Sequence, residues 1–432
     1  MRSNISKGLY ITLGAILLTS EGMNYSIIAP FFPIEARHKG TSDVMIGVIM
    51  GSFSFSSWIF AIFLSKFVSN RLKFYFFNSG CMIGAVSLVC LGSLEFSSPG
   101  FPFYIMSLMC RIVNGLSSAM MWSSAYPALC SINEDWTDVL APVIELSIGL
   151  GAIIGPPVGS FIYSISGYAV TFYVIGSFEI FLSIIFYFST FLFIDETMDE
   201  KENDDKRSMT ALYNLGKSYE IILLSIPIII NVSMIALIDT VLAHYLVNIL
   251  SMTTDTNGLV FAIQATSFAI ANICNLPLPR LGYSGILYAI GPFFIATGGF
   301  AFCFQAYFET LQCFTFVCLC LIVISLGSSA IIMNSYLVFD KVLLRIDLAT
   351  TDNVKLISAS WLNILFNSGG IFGAAFFGGV YYHKFGLFAT FFTISLLAAF
   401  TFVMIVFLLH SLSLLRKVYF RKESEVSCNG NI

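Results

Sequence analysis

The chain is organised by apolar runs that are each long enough to cross a lipid bilayer as a helix. Such a crossing takes about 20 mostly apolar residues, and the 432-residue sequence holds twelve runs of this kind. The runs lie near 9–32, 44–67, 74–95, 101–130, 139–163, 168–194, 218–249, 257–278, 284–307, 311–338, 354–382 and 386–415. Only 11% of the residues are charged, against roughly 25% in soluble proteins. The sequence therefore predicts an all-α polytopic membrane protein with twelve transmembrane helices.

One polar stretch interrupts the series of runs at its midpoint. It contains Glu-Lys-Glu-Asn-Asp-Asp-Lys-Arg, which is too charged to order itself. We therefore predict an N-terminal six-helix bundle over 1–194, a charged cytoplasmic linker over 195–217, a C-terminal six-helix bundle over 218–415 and a cytoplasmic tail over 416–432. With both termini in the cytoplasm, seventeen Lys and Arg residues fall on the inner side and three on the outer side, as the positive-inside rule requires.

The two halves also resemble each other in sequence. A shift of 219 residues pairs Gly151 with Gly370, Gly159 with Gly378, Tyr163 with Tyr382 and Gly167 with Gly386. This shift aligns the fifth run with the eleventh, which holds the same position in its half. Repeated halves of this kind are typical of transporters whose two bundles rock around a site at the bilayer midplane.

The fifth run carries glycines every four residues. Gly151, Gly155 and Gly159 fall on one helix face, so a neighbouring helix can approach that face closely. Pro156 and Pro157 follow within the run and remove two backbone donors, which predicts a bend or break there. We expect this helix to be a moving part that lets the halves close on one side. The alternative is a motif that serves helix packing alone.

Ionisable residues lie inside several runs, where an ionised group costs at least about 3 kcal/mol unless it is paired or hydrated. The acids are Glu21, Glu145, Glu179 and Asp239, and the fixed cation is Arg111. Because one arginine can pair with only one or two acids, protonation or a bound cation would have to relieve the remaining negative charge. This balance favours a carrier that exchanges protons for cations. Each residue alone has another reading, as an interfacial residue whose helix end is misplaced.

Within that hypothesis, Glu21 and Glu145 are the expected cation-binding residues. Arg111 would organise the buried acids, and Asp239 is the candidate from the second half.

Polar amides add three further candidates for the substrate or proton site. Asn24 follows Glu21 in the first run. Asn363 and Asn367 lie one turn apart on one face of the eleventh run, where polar side chains line a cavity or bond to another helix. The sequence leaves both interpretations open.

Other function classes lack their sequence signals. There is no Walker A motif, so this chain is not expected to pump with ATP. The four His residues do not cluster at metal-ligand spacing, and no basic surface interleaved with aromatic residues suggests nucleic acid. We expect no enzyme activity, no cofactor, no metal and no nucleic-acid partner.

Two motifs resemble those of a known superfamily. The stretch 151–159 reads Gly-x-x-x-Gly-Pro-x-x-Gly and resembles the motif of proton-coupled antiporters of the major facilitator superfamily. The stretch 111–119 reads Arg-x-x-x-Gly-x-x-x-Ala and resembles the buried-arginine motif of the same superfamily, which is implicated in proton coupling. The twelve-span plan with six spans in each half is similar to this superfamily across the whole chain, and a monomer is the default for such a plan.

A narrower resemblance concerns the substrate. Ala29-Pro-Phe-Phe-Pro-Ile-Glu-Ala36 is similar to the first outer loop of vesicular amine transporters, and the sequence after Glu145 is similar to their fifth span. The polyamine branch of that family is the most similar, and this resemblance implies exchange of luminal protons for cytosolic polyamines. We therefore expect a proton-coupled antiporter of organic cations in a vesicle membrane or the plasma membrane. The alternatives are a drug or metabolite transporter of the same superfamily and a transport-dead sensor with this fold.

Overall fold

The computed structural model describes residues 2–64, 72–130, 137–191, 215–275, 277–278, 283–307, 313–345 and 354–429. The principal elements of these ranges are helices, which we number in chain order. They are α1 Arg2–Ser26, α2 Phe32–His38, α3 Asp43–Leu64, α4 Leu72–Ser93, α5 Phe101–Cys130, α6 Thr137–Phe191, α7 Tyr219–Asn248, α8 Thr254–Asn275, α9 Ser284–Tyr307, α10 Phe314–Arg345, α11 Val354–Ile371, a π-helical segment Phe372–Tyr381, and α12 Tyr382–Asn429.

Eight segments of the described chain are long and apolar enough to cross a membrane. Two of them, Leu146–Thr190 and Ser360–Leu408, contain 45 and 49 residues. At 1.5 Å per residue, each is about twice the length that a bilayer core of about 30 Å requires. These segments correspond to the predicted pairs of runs five with six and eleven with twelve. The helix bounds thus follow the apolar runs, while the count of twelve crossings stays a prediction.

Each of the two long segments is interrupted at one glycine. Gly167 has φ 80° and ψ −175° inside α6, and Gly386 has φ 75° and ψ −178° inside α12. Glycine adopts such a positive φ without the clash that a Cβ would cause. Thr171 then donates from Oγ1 to the Gly167 carbonyl at 2.9 Å, and Thr390 donates in the same way to Gly386 at 2.7 Å. Both pairs are related by the shift of 219 residues found in the sequence.

The two prolines of the glycine motif do not interrupt their helix. Within α6, non-helical backbone angles occur at Gly167 and not at the prolines, so the helix does not break at Pro156 and Pro157, and a bend there stays a prediction. The fixed φ of proline near −65° is itself a helical value, and tight packing against α1 holds this part of α6 in place.

Helix contacts fall mainly within two groups, residues 2–191 (the first half) and 215–429 (the second half). In the first half, α1 packs on α6 and α5 packs on α3 and α4, and in the second half α9 packs on α10 and α12. Two hydrophobic clusters come entirely from the first half, and a third comes from the second half apart from Ala29. The halves meet where α3 contacts α11 and the π segment and where α6 contacts α8. Because residues 192–214 lie outside the described ranges, the predicted linker over 195–217 stays a prediction.

Candidate functional site

A small cavity lies where the two halves meet. Its volume is about 20 Å³, which is room for roughly one water molecule. The lining residues are Tyr25, Ala29, Met50, Ser54, Arg111, Ala236, Asp239, Thr240, Gly370 and Ala374. Helices α1, α3 and α5, with the turn after α1, supply five of them from the first half, and α7, α11 and the π segment supply the other five. This space is too small for an organic cation such as an amine.

Arg111 and Asp239 bring opposite charges to this cavity from opposite halves. The Arg111 side chain is only 2% exposed, and its Cζ lies 4.6 Å from the centre of the Phe53 ring. Its Nε and Nη1 atoms have no hydrogen-bond partner among the described residues, and no described carboxylate forms an ion pair with it. Asp239 and Arg111 nonetheless attract each other electrostatically. A carboxylate and a guanidinium that face one cavity without direct contact leave room for a water or a ligand between them.

Tyr25 completes the polar side of the cavity. Its ring lies 5.3 Å from that of Phe53, and its hydroxyl interacts electrostatically with both Arg111 and Asp239. The Tyr25 side chain is 40% exposed, in contrast to the buried arginine beside it. Tyr25 and Asp239 line the same cavity, and an aromatic ring beside a carboxylate is the kind of surface that binds an ammonium group through cation–π contact.

Glu21 does not line this cavity, although the sequence predicts it as a cation-binding residue beside Asn24. It is buried within the first half, where its carboxyl group belongs to one polar cluster with that of Glu179. Asn24 donates from Nδ2 to Glu179 Oε2 at 3.2 Å, and Asn114 donates from Nδ2 to Asn24 Oδ1 at 3.0 Å. The structure therefore separates the predicted acids into a group within the first half and the cavity that contains Asp239.

The predicted amides of the eleventh run bond to each other. Asn367 donates from Nδ2 to Asn363 Oδ1 at 2.8 Å and to the Asn363 carbonyl at 3.0 Å. Both side chains are half-buried, and neither is among the residues that line the cavity. Glu145 lies in α6, and its side chain is outside the described part of the chain. Roles for these three residues stay predictions.

The glycine face of α6 packs against α1 of the same half. A Cβ on Gly151 would lie 2.8 Å from the Met23 nitrogen and 2.9 Å from the Gly22 Cα, and one on Gly155 would lie 3.1 Å from the Met23 carbonyl. Gly159 is similarly covered by Ile27. This is the close approach that the spacing of the glycines predicts, but its partner is α1 rather than a helix of the other half.

Other small residues form the contacts between the halves. A Cβ on Gly47 of α3 would lie 2.7 Å from the Ala374 carbonyl and 2.7 Å from the Gly379 nitrogen, in the π segment. A Cβ on Gly258 of α8 would meet Ser160 of α6 and would lie 3.3 Å from the Pro156 carbonyl. Close backbone contacts thus join the halves in two places, between α3 and the π segment and between α6 and α8.

Charged side chains support this junction at the start of α3. Arg37 donates from Nε to Asp43 Oδ1 at 2.7 Å, and its Nη2 lies 2.6 Å from the same oxygen. The other carboxylate oxygen of Asp43 lies 3.8 Å from Nδ1 of His383, which belongs to α12. The sequence gives no signal for this cluster, because its members lie in separate loops and helix ends.

No particular role is predicted from sequence for several residues of the site, namely Tyr25, Ser54, Asn114, Glu179 and Thr240. Asn114 could have been found from its position three residues after Arg111, which places both on neighbouring faces of α5. Glu179 is visible in the sequence as an acid within an apolar run.

The comparison with protein families gives the class of protein to which this fold and this site belong. The family described as Major Facilitator Superfamily matches residues 14–342. The chain belongs to the major facilitator superfamily, which confirms the predicted fold and the prediction that the protein is a transporter and not an enzyme.

Particular relatives then narrow this assignment. The chain is 29% identical over 252 residues to the MFS-type transporter SLC18B1 of Mus musculus, covering 58% of this chain and 53% of that protein. It is 30% identical over 154 residues to the MFS-type transporter SLC18B1 of Homo sapiens, covering 36% and 34%. These matches support the vesicular amine transporter branch to which the motifs point. The matched part of the chain thus spans about half the length, or less, of these relatives.

A solved structure shares the fold. It is the inward-facing, unoccupied crystal structure of a bacterial homologue of the human lysosomal transporter Spinster, with a TM-score of 0.68 at 13% identity. The similarity covers 93% of this chain and 95% of that chain.

Proposed function

We propose that this transporter is a proton-coupled antiporter that exchanges protons for organic cations, with polyamines and related amines as its substrates. The observation that carries the proposal is the pair Arg111 and Asp239, which face one cavity from opposite halves. The resemblance to vesicular amine transporters supplies the substrate class. Antiport requires the carrier to bind the amine and the proton in turn, and a buried carboxylate that Arg111 or an amine can balance supplies the amine side of that exchange.

Asp239 is the proposed anchor for the ammonium group. In the closed state, the positive charge of Arg111 balances Asp239 across the cavity. When the halves separate on one side, an ammonium group can replace Arg111 as the positive charge beside Asp239, and the ring of Tyr25 can cover another face of that group. Release of the ammonium group on the other side requires the carboxylate of Asp239 to be neutralised or to be balanced by Arg111 again. Only a substrate with a positive charge gains from this arrangement.

The surrounding architecture fits alternating access. The cavity of about 20 Å³ is too small for an amine, so the contacts of Gly47 and Gly258 between the halves must open during each cycle.

We further propose two six-helix bundles joined by a cytoplasmic linker over 195–217, with both termini in the cytoplasm of a cell and the protein in a vesicle membrane or the plasma membrane. The functional unit in this proposal is a monomer. Glu145, Asn363 and Asn367 are proposed as further contacts for an amine in the open state.

The direct test is uptake of labelled spermidine into proteoliposomes with an acidic interior, measured with and without a proton uncoupler. The proposal predicts uptake that collapses when the uncoupler removes the pH gradient. Uptake that is equal with and without the uncoupler would contradict proton coupling. Correctly oriented protein that transports a neutral metabolite and no amine would contradict the substrate class.

A matched pair of variants tests the site. Asp239→Asn removes the carboxylate from the cavity, whereas Glu220→Gln removes a carboxylate from the far end of the same helix. The two positions are 19 residues apart in α7, which is about 28 Å at 1.5 Å per residue. We expect Asp239→Asn to abolish uptake and Glu220→Gln to retain it. Equal uptake by the two variants would remove Asp239 from the mechanism.

A further inference from the structure

Two buried acids of the first half form a group that the amine site does not use. Glu21 of α1 is 4% exposed and Glu179 of α6 is fully buried. Both carboxyl groups belong to one polar cluster around Asn24, whose Nδ2 donates to Glu179 Oε2 at 3.2 Å and lies, like Glu21 Oε2, beside Gly84. Glu21 Oε2 and Glu179 Oε1 have no partner among the described donors. Neighbouring carboxylates repel each other strongly in a low-dielectric interior, and a proton on one of them relieves that repulsion.

The surroundings of this carboxyl pair contain no described cation that could replace the proton. Helix α4 presents the Cys81 thiol, which lies within electrostatic reach of both acids. Helix α5 presents the amide of Asn114 and the hydroxyl of Ser117, and Ser117 donates to the Gly80 carbonyl at 2.8 Å. Arg111, the charged residue of α5, instead interacts with Asp239 and Tyr25 at the cavity.

A glycine of α4 keeps space free beside the carboxyl pair. A Cβ on Gly84 would lie 3.3 Å from Glu21 Oε2 and 3.2 Å from the Asn24 amide nitrogen, and it would also meet the Ser117 hydroxyl. The two acids and their polar neighbours therefore form a buried polar site where helices α1, α4, α5 and α6 meet.

We propose that the Glu21–Glu179 pair binds the transported proton, at a site separate from Asp239, which binds the amine. This inference rests on the proposed antiport function, and it assigns the proton and the amine to separate binding sites. Uptake of a proton neutralises the pair, and its loss leaves two buried negative charges that favour a different packing or hydration of α1 and α6. No covalent step is involved.

A short polar chain links the two sites. Asn24 bonds to Glu179 and accepts a hydrogen bond from Asn114. Asn24 precedes Tyr25, which lines the cavity, and Asn114 lies one helical turn from Arg111. A change in the charge of the pair can therefore move the two helices that carry Tyr25 and Arg111. This is the mechanical connection that coupling of a proton to an amine requires.

Comparison of gradient-driven uptake with counterflow tests the assignment. Counterflow measures entry of labelled spermidine into vesicles preloaded with unlabelled spermidine at equal pH, so it needs the amine site and no net proton movement. Wild-type protein should accumulate the amine about tenfold per pH unit for each proton exchanged. We expect Glu179→Gln and Glu21→Gln to lose this accumulation and to keep counterflow. Glu179→Asp retains a carboxyl group and should keep part of the accumulation.

Each other outcome overturns a defined part of the account. Normal accumulation in both Gln variants would overturn the proton site and leave antiport intact, whereas no accumulation by wild-type protein would overturn the proposed function. Loss of counterflow in Gln variants with wild-type melting temperatures would show that the pair serves the amine site, contrary to the inference.

Infrared difference spectra of the wild-type protein test the proposed proton site without a transport measurement. A pH change should alter the carbonyl-stretch band of a protonated carboxyl group, and this band should change in Glu179→Gln and persist in Asp239→Asn. A wild-type spectrum without such a band would overturn the inference even if the Gln variants fail to fold.

Discussion

The contact between α1 and α6 gives the sharpest structural prediction, because a matched control lies two residues away. Gly151 faces α1, where a Cβ would lie 2.8 Å from the Met23 nitrogen and 2.9 Å from the Gly22 Cα. The Thr19 carbonyl oxygen lies closer still, and ordinary contacts are about 3.5–4.0 Å, so Gly151→Ala requires the helices to move apart by more than roughly 1 Å. A Cβ on Gly149 would have no described atom of a neighbouring element within 4 Å. Gly149→Ala therefore adds the same methyl group without a clash.

The expected magnitude follows from the difference between the two variants. Each replaces glycine by alanine within α6, and each gains about 1 kcal/mol of helix propensity. This gain cancels when the variants are compared, so the remaining difference is the cost of overpacking, about 1–3 kcal/mol. The upper part of that range applies because the atoms that Gly151→Ala would meet belong to a helix backbone, which cannot rotate away as a side chain can.

Thermal unfolding in one detergent measures this difference. We expect Gly151→Ala to melt below wild-type protein and Gly149→Ala to melt at or above it. If Gly151→Ala melted at the temperature of Gly149→Ala, the close approach of α1 and α6 would be refuted.

Three further predictions concern other positions. Gly47→Ala should fold and yet slow uptake, since its methyl group would meet the π segment across the junction of the halves; uptake at the wild-type rate would contradict a closing contact there. Gly167→Ala should lower the stability measured by unfolding by about 1–3 kcal/mol, because φ 80° with ψ −175° is a conformation that essentially only glycine adopts; transport should be retained, and an unchanged melting temperature would contradict the turn. Glu145→Gln should reach the membrane and lose exchange in the spermidine assay, and normal pH-driven uptake would remove this acid from the mechanism.

The helices could be predicted well from the sequence because apolar runs have one physical solution in a bilayer. Backbone groups must be satisfied within the helix there, so the run 101–130 and helix Phe101–Cys130 coincide. The π segment Phe372–Tyr381 was not predicted, since its departure from α-helical geometry is set by contacts with α3 and α7. Helix α2 was also missed, because seven residues are too few to show a period.

The candidate site was predicted less completely, since its residues meet only through the tertiary fold. Asp239 and Arg111 were found as charges within apolar runs, and the structure brings both to one cavity. The pairing of Glu21 with Glu179 could not be predicted, because no periodicity relates residues of α1 to those of α6. The glycine face of α6 could be predicted from its spacing, while its partner helix could not be named, because a face without side chains fits any neighbouring backbone.

Simultaneous recording of amine entry and proton exit tests the claim of proton-coupled exchange most directly. Proteoliposomes with an acidic interior and an enclosed pH indicator would receive external spermidine while amine entry and interior pH are followed together. The account predicts that the interior becomes more alkaline as the amine enters, and that both signals vanish in Asp239→Asn. Amine entry without a change of interior pH would contradict proton-coupled exchange.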